Sequence, residues 1–175
     1  MTRRHATLTT SLGRLLVVAD GAALRGLYFP GHWYPPADDA LGVEADARLD
    51  GLVARLGEEL DEYLAGARTR FDLPTATSGG AFQESVWRML REIPYGETTT
   101  YGELAARLGD RNLARRVGQA VGRNPLSIIV PCHRVVGAGG SLTGYAGGLE
   151  RKRFLLELEG APVVAQPRLF ADPVN

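Results

Sequence analysis

Thr100-Tyr101-Gly102-Glu103-Leu104-Ala105-Ala106-Arg107-Leu108-Gly109-Asp110-Arg111-Asn112-Leu113-Ala114-Arg115-Arg116-Val117-Gly118-Gln119-Ala120-Val121-Gly122-Arg123-Asn124-Pro125 holds two short helices and the turn that joins them. Thr100 and Glu103 have capping-box spacing, in which a hydroxyl and a carboxylate each satisfy an orphan amide at a helix start. That helix is expected over 101–108 and stops at Gly109. Asn112 is placed to cap a second helix, which runs to Arg123 and ends at Asn124-Pro125. Two such helices on a tight glycine-containing turn, the second rich in arginine, form the pattern of a helix-turn-helix. An ordinary helical hairpin has the same pattern, so charge has to discriminate. Within 107–134, Arg107, Arg111, Arg115, Arg116, Arg123 and Arg134 face only Asp110. The formal net charge of zero hides this: residues 1–80 carry 8 arginines against 11 acids, whereas 81–175 carry 11 arginines and Lys152 against 9. A polyanion senses local density, so the neutral total does not exclude nucleic acid. Arginine replaces lysine nearly throughout the chain, so part of the asymmetry is compositional.

Upstream of the hairpin, Leu15–Val18 and Leu24–Phe29 read as strands of an antiparallel sheet, with turns at Ser11-Leu12-Gly13 and Asp20-Gly21. Residues 30–39 form a loop. Leu49, Leu52, Val53, Leu56, Leu60 and Leu64 keep helical spacing and predict a helix from Asp46 to Leu64, with Gly66 just past its end. Arg70–Pro74 is a short strand at best, and Thr77–Gly80 a linker. Phe82, Val86, Leu90 and Ile93 form the stripe of a further helix, broken at Ile93-Pro94-Tyr95-Gly96. Downstream, Ser127–Val130 reads as a buried strand. Gly137–Gly140 and Gly144–Gly148 are turns, and an amphipathic helix spans Leu149 to Glu159. The tail from 161 to 175, with three prolines, is expected to be loosely held. No apolar run is long enough to cross a bilayer. The start, Met1-Thr2-Arg3-Arg4-His5, does not read as a secretory signal, so a cytoplasmic location is expected.

Pro131-Cys132-His133-Arg134 is the densest chemical segment. Cys132 is the single cysteine, which excludes an intramolecular disulfide and any multi-cysteine zinc site. A lone thiol is as readily a small buried hydrophobe as a nucleophile. Nearby imidazole or positive charge favours the thiolate that attacks carbon. Neighbours on a regular strand point to opposite faces, however, so His133 serves Cys132 only if the chain bends here or a water relays the proton. Composition does not choose among the nearby acids for a group that orients the imidazole.

Residues Ile93–Gly160, about two-fifths of the chain, closely resemble the catalytic domain of O6-alkylguanine-DNA alkyltransferases. The matching pieces, in order, are Ile93–Thr98, Thr100-Tyr101, Val117–Ala120, Asn124-Pro125, Ile129–Val135, Thr143–Tyr145, Gly147–Leu149 and Leu155–Glu157. The resemblance implies single-turnover, direct-reversal DNA repair, with transfer of a methyl or larger alkyl group from a flipped-out O6-alkylguanine, or O4-alkylthymine, onto Cys132. No cofactor or metal is implied. His133 resembles the base that reaches the thiol through a water, and Glu159 the carboxylate that orients it. Arg115 occupies the position of an arginine finger that replaces the flipped nucleotide. Tyr101 matches the tyrosine that crowds the adjacent phosphate and bonds the flipped base. Asn124 matches the hinge between recognition helix and active-site segment. Thr100, Ala114, Gly118 and Arg123 are carried over as DNA contacts, the small residues Ala114 and Gly118 permitting a close minor-groove approach. Val135, with Tyr145, Ala146 and Gly147, should build the base pocket. Arg134 is expected in a structural ion pair.

The expected fold is α+β: an N-terminal scaffold domain, 1–76, with an antiparallel sheet and helix in an α/β-like arrangement, and a helical, winged-helix-like C-terminal domain, 81–160, carrying the helix-turn-helix. The implied partner is double-stranded DNA containing alkylated guanine, with no membrane and no obligate protein partner. Two departures from the family pattern stand out. Arg116 follows the finger where a small residue is usual and is expected on a solvated face, and Ala146 stands where many relatives have a hydroxyl or glycine. The alternative reading is a non-catalytic alkyltransferase-like lesion binder. Such proteins replace the acceptor cysteine, usually by tryptophan, and Cys132 is present. A transcription factor and a cysteine hydrolase are the other classes; the first lacks its cysteine-rich metal domain here, and the second needs direct Cys–His contact.

Overall fold

The computed structural model describes residues 2–163. The chain begins as a meander, β1 (Arg3–Thr10), β2 (Gly13–Asp20) and β3 (Ala23–Tyr28), with β1–β2 and β2–β3 antiparallel. A two-residue β4 (Val43–Glu44) adds to the far edge of β1 in parallel, so the sheet order is β3-β2-β1-β4. Strand alternation drives Leu15, Val17 and Ala19 of β2 to one buried face. Sequence reading did not name β1, whose charged and polar residues leave most of the strand partly or fully exposed.

Helix α1 (Gly51–Leu64) buries Val53, Leu56, Leu60 and Tyr63. It starts later than its leucine periodicity suggested. Asp50 caps it, accepting hydrogen bonds from the Leu52 and Val53 amides at 3.1 Å, so Leu49 stays outside the helix and exposed. Asp50 also pairs with Arg4 of β1, which ties the cap to the sheet.

The second half follows with α2 (Ala81–Arg91), β5 (Thr99–Thr100), α3 (Tyr101–Arg107), α4 (Ala114–Gly122), β6 (Val135–Val136) and α5 (Leu149–Leu158). The capping box at the start of α3 is present: the Glu103 amide donates to the Thr100 hydroxyl at 3.1 Å, and the Thr100 amide to the Glu103 carboxylate at 2.8 Å. The turn before α4 differs from expectation. Asp110, not Asn112, caps it, accepting from the Asn112 amide at 2.9 Å, and a 3-10 turn (Arg111–Leu113) leads into the helix. Aspartate and asparagine both serve as caps, and spacing alone did not choose between them. Trp87 of α2 donates its indole N–H to the Ala120 carbonyl at 2.8 Å, fastening α4 from behind.

One hydrophobic cluster runs from Ala6 and Leu15 through α1 to Val117, Val130 and Leu155, so the two halves share a core. The chain after α4 also joins the N-terminal sheet. The Leu27 amide donates to the Pro125 carbonyl at 2.8 Å and the Ser127 amide to the Leu27 carbonyl at 3.0 Å, docking the segment before Cys132 on the β3 edge. Among the described residues no helix is long and apolar enough to cross a membrane. The expectation for the 161–175 tail falls, from residue 164 onward, outside the described residues.

Arg4 holds the Asp50 carboxyl below its ordinary value through its hydrogen bond. Asp50→Ala should therefore cost about 1–2 kcal/mol of stability at pH 7 in urea unfolding, the usual worth of an N-cap. A depressed carboxylate stabilises above its unfolded pKa, about 3.9, and loses that contribution as pH falls through the folded value, so the difference between wild type and variant should close in acid.

Candidate active site

The segment expected as a strand, Ser127–Val130, is a series of tight turns. Ile128 has φ +71°, and the Ile129 amide bonds the Ser127 carbonyl at 2.8 Å and the Val130 amide the Leu126 carbonyl at 2.9 Å. At Pro131 (φ −79°, ψ 63°) the Cys132 amide reaches the Val130 carbonyl at 2.7 Å. These are the dihedrals and the bond of an inverse γ-turn, whose φ the proline ring favours. Cys132–Arg134 then form a 3-10 turn before β6 pairs with β5. The bend removes the strand geometry that would have sent Cys132 and His133 to opposite faces. Asn124 holds the bend from inside: its side-chain N–H donates to the Val130 carbonyl at 2.8 Å, and its carbonyl accepts from the Leu126 amide at 3.0 Å. It is 1% exposed, so these bonds are shielded from water.

His133 is fully buried, with Nε2 2.8 Å from Glu159 Oε1. Arg134 clasps the same carboxylate with Nε to Oε2 at 2.8 Å and Nη2 to Oε1 at 2.9 Å, and donates Nη1 to the Ile93 carbonyl at 2.7 Å. The Tyr63 hydroxyl of α1 donates to Glu159 Oε1 at 2.5 Å. Burial opposes charge on Glu159, yet the bonds from His133, Arg134 and Tyr63 hold its carboxyl well below the usual range. Burial lowers His133 and outweighs the pull of Glu159, so the imidazole is neutral and able to accept a proton. Its Nδ1 has no hydrogen-bond partner among the described residues. Gly96 lets the backbone close over this cluster: it has φ +82°, and a Cβ there would stand 2.9 Å from the Glu159 carbonyl oxygen.

Cys132 is 4% exposed and lines a cavity of about 340 Å³. Tyr101, Ala114, Gly118 and Val121 form its α3–α4 wall, and Thr143–Ala146 the opposite wall. Burial pushes the thiol up; the Asn124 side chain, the charge of Lys152 and the Tyr145 hydroxyl pull it down without offsetting that cost. Lys152 of α5 is fully buried, its ammonium donating to the carbonyls of Thr143 at 2.8 Å and Gly144 at 3.3 Å. Burial lowers it to about 8, so at neutral pH it remains mostly protonated beside the thiol.

On the outer face, Arg115 is exposed and has no ion-pair partner among the described residues. Arg123 is also exposed, its guanidinium 4.1 Å above the Tyr34 ring. Arg116, expected on a solvated face, is exposed and stacks at 4.0 Å on Phe82. Two members of the expected base pocket lie elsewhere. Val135 is fully buried and pairs with Thr99 across β5–β6, and Gly147 packs against Phe29 and accepts from Arg151 at 3.0 Å; neither lines the cavity.

The chain is similar to known proteins over most of its length. The family model described as 6-O-methylguanine DNA methyltransferase, DNA binding domain, matches residues 81–161, and that described as its ribonuclease-like domain matches residues 4–77. The chain belongs to the 6-O-methylguanine DNA methyltransferase family. The methylated-DNA–protein-cysteine methyltransferase of Mycobacterium tuberculosis is 43% identical over 166 residues, 95% of this chain and 98% of that protein. The enzyme of that name from Haemophilus influenzae is 42% identical, over 91% of this chain and 90% of its own length. The crystal structure of the M. tuberculosis O6-methylguanine methyltransferase superposes with a TM-score of 0.79 at 42% identity, over 91% of this chain and 95% of that one. The same organism's OGT in complex with DNA superposes at 0.81 and 41% identity, with the same coverage.

Sequence reading of this methyltransferase-family chain missed three residues at the site. Lys152 read as one basic residue on an amphipathic helix, and its burial follows from a helix whose apolar residues do not confine themselves to one face. Tyr63 lies on α1, 96 residues from its partner Glu159. Trp33 lines the cavity from a loop of the other half.

Glu159→Gln removes the countercharge of a buried guanidinium and should cost about 3–5 kcal/mol in urea unfolding, as breaking a buried pair does. Lys152→Met should slow iodoacetamide alkylation of Cys132 at pH 7, where the ammonium is present and favours the thiolate, and the difference from wild type should narrow as pH rises past about 8 and Lys152 loses its proton. An unchanged rate at pH 7 in a folded variant would rule out that electrostatic role.

Proposed function

We propose that this protein repairs DNA by direct reversal, taking a methyl or other alkyl group from O6-alkylguanine in duplex DNA onto Cys132 in a single turnover. The observation that carries the reading is a thiol at a nucleobase-sized cavity, next to a neutral, carboxylate-anchored imidazole and behind an arginine-bearing helix. A cavity of about 340 Å³ is near the lower end of the roughly 300–1,000 Å³ of small-molecule sites. A base in a stacked duplex cannot reach a buried sulfur, so the nucleotide is flipped out at a cost of a few kcal/mol.

His133, through a relay from Nδ1, accepts the thiol proton as the sulfur attacks. Glu159 holds the ring and stabilises the imidazolium that forms. The S–C bond forms as the C–O6 bond breaks, and the electron pair leaves with guanine, which takes up a proton. The Tyr145 and Ala146 backbone N–H groups, which bond nothing among the described residues, and the Tyr101 side chain are the donors on the cavity wall for the departing base. The product thioether is not reversed by a proton, so each molecule reacts once.

Arg115 enters the stack in place of the flipped nucleotide. Thr100, Ala114, Gly118 and Arg123 lie along the DNA, where the small residues admit the helix to the minor groove. Asn124 sets the angle between recognition helix and acceptor turn. A cytoplasmic protein acting without a cofactor or an obligate partner fits this chemistry.

Incubation with a duplex bearing one O6-methylguanine, followed by peptide mass spectrometry, should find one added methyl on the peptide containing Cys132 and restored guanine in the DNA. Tight binding with Cys132 unmodified would favour the lesion-binder reading instead. Arg115→Ala should slow repair in the duplex by a factor of about 10 or more, the scale of losing the interactions that offset unstacking. Reaction with a free O6-alkylguanine base should be spared, and equal loss on both substrates would contradict the finger role.

A further inference from the structure

We propose that Trp33, contributed by the N-terminal half, is a specificity-determining wall of the acceptor cavity that favours small O6-alkyl groups over large ones; this rests on the repair reading above. Trp33 is 56% exposed, a large apolar ring left half in water. Scattered exposed apolar residues need no explanation, but this one lines the cavity that holds Cys132.

The loop that carries it is anchored on both sides of the ring. Phe29, at the end of the sheet, is buried, and the His32 amide bonds its carbonyl at 3.2 Å. The His32 ring is buried edge-on to Tyr28 at 5.2 Å, and its Nδ1 accepts from the Tyr34 amide at 3.0 Å. The next ring, Tyr34, lies 4.1 Å beneath the Arg123 guanidinium at the end of α4. Pro30, Pro35 and Pro36 restrict the backbone on either side. Trp33 is thus held between two fixed neighbours, and its indole is directed at the C-terminal half.

Two glycines receive it. A Cβ at Gly122, the last residue of α4, would stand 3.6 Å from indole Cε3 and Cζ3, and one at Gly144 would stand 3.1 Å from Cη2. The indole bridges the helix wall and the loop wall of the cavity and forms part of its lining. An alkyl chain longer than methyl, carried in on the flipped base, would have to share the cavity with the ring. Apolar pockets discriminate by such steric means at roughly 10–200-fold per methylene-sized difference.

The test uses the full chain and two duplexes of one sequence, carrying O6-methylguanine or O6-butylguanine, with transfer to Cys132 followed by mass spectrometry. Trp33→Ala should raise the butyl-to-methyl ratio of second-order rate constants by about tenfold or more, and Trp33→Phe, which keeps a ring, should leave it within about twofold. An unchanged ratio in Trp33→Ala would overturn the proposal and leave Trp33 as a loop anchor. Should Trp33→Ala fail to fold, emission decides. The wild-type signal less that of Trp33→Phe, each in a Cys132→Ser background, isolates Trp33 from buried Trp87. It should change with the O6-methylguanine duplex and not with the undamaged one, and a lesion-independent signal would equally overturn the proposal. Absence of methyl transfer by the wild-type protein would instead remove the repair reading, and this proposal with it.

Discussion

The Glu159 carboxylate is the interaction on which the rest of the site depends. It stands at the C-terminal end of α5, where a negative charge opposes the helix dipole. Charged, buried and 6% exposed, it would be costly alone. It is stable there because four residues from three parts of the chain converge on it: Tyr63 from α1, the Gly96 amide after α2, and His133 and Arg134 from the acceptor turn. A bidentate guanidinium is the strongest of these partners, and it fixes the orientation of the carboxylate as well as its charge. The N-terminal half therefore reaches the acceptor site twice, through Tyr63 from beneath and Trp33 at the mouth.

Two opposing demands meet at Cys132. A closely walled cavity suits recognition of an extruded base, and burial in its wall raises the pKa of the thiol. A reactive sulfur needs the opposite. The structure places a neutral base beside it in sequence and a buried ammonium on α5, so that ionisation has both a proton acceptor and a countercharge. Lys152 itself is depressed to about 8 by the same burial, and two backbone carbonyls hold its ammonium in place. The strained stretch at Ile128 and the γ-turn at Pro131 then deliver the sulfur to the cavity and the imidazole to Glu159.

Much of the fold was legible from local pattern. The capping box at Thr100, the α2 stripe and the end of the recognition helix at Asn124-Pro125 each rest on interactions within a few residues, and those survive in the folded chain. The α1 start and the cap of the turn before α4 went astray where two local signals competed, leucine spacing against an aspartate cap, and Asn112 against Asp110. The segment 127–130 was read as a strand because it is apolar and short. Periodicity cannot separate a buried strand from buried turns, and only its docking on Leu27 and the Asn124 bonds decide between them.

By itself the sequence determined that one thiol follows a proline and precedes a histidine, downstream of an arginine-rich helix, and the order of these motifs carried the family. Tertiary structure alone decided which side chains share the cavity. Val135 and Gly147 are close to Cys132 along the chain or in the same loop system yet do not line the cavity, whereas Trp33 lines it from a distant loop and Lys152 of α5 bonds the Thr143 and Gly144 carbonyls of its wall. Motif spacing reports covalent and local geometry. Who lines a pocket depends on how sheet and helices dock, and that is set by the shared core and by the buried charges that must find partners within it.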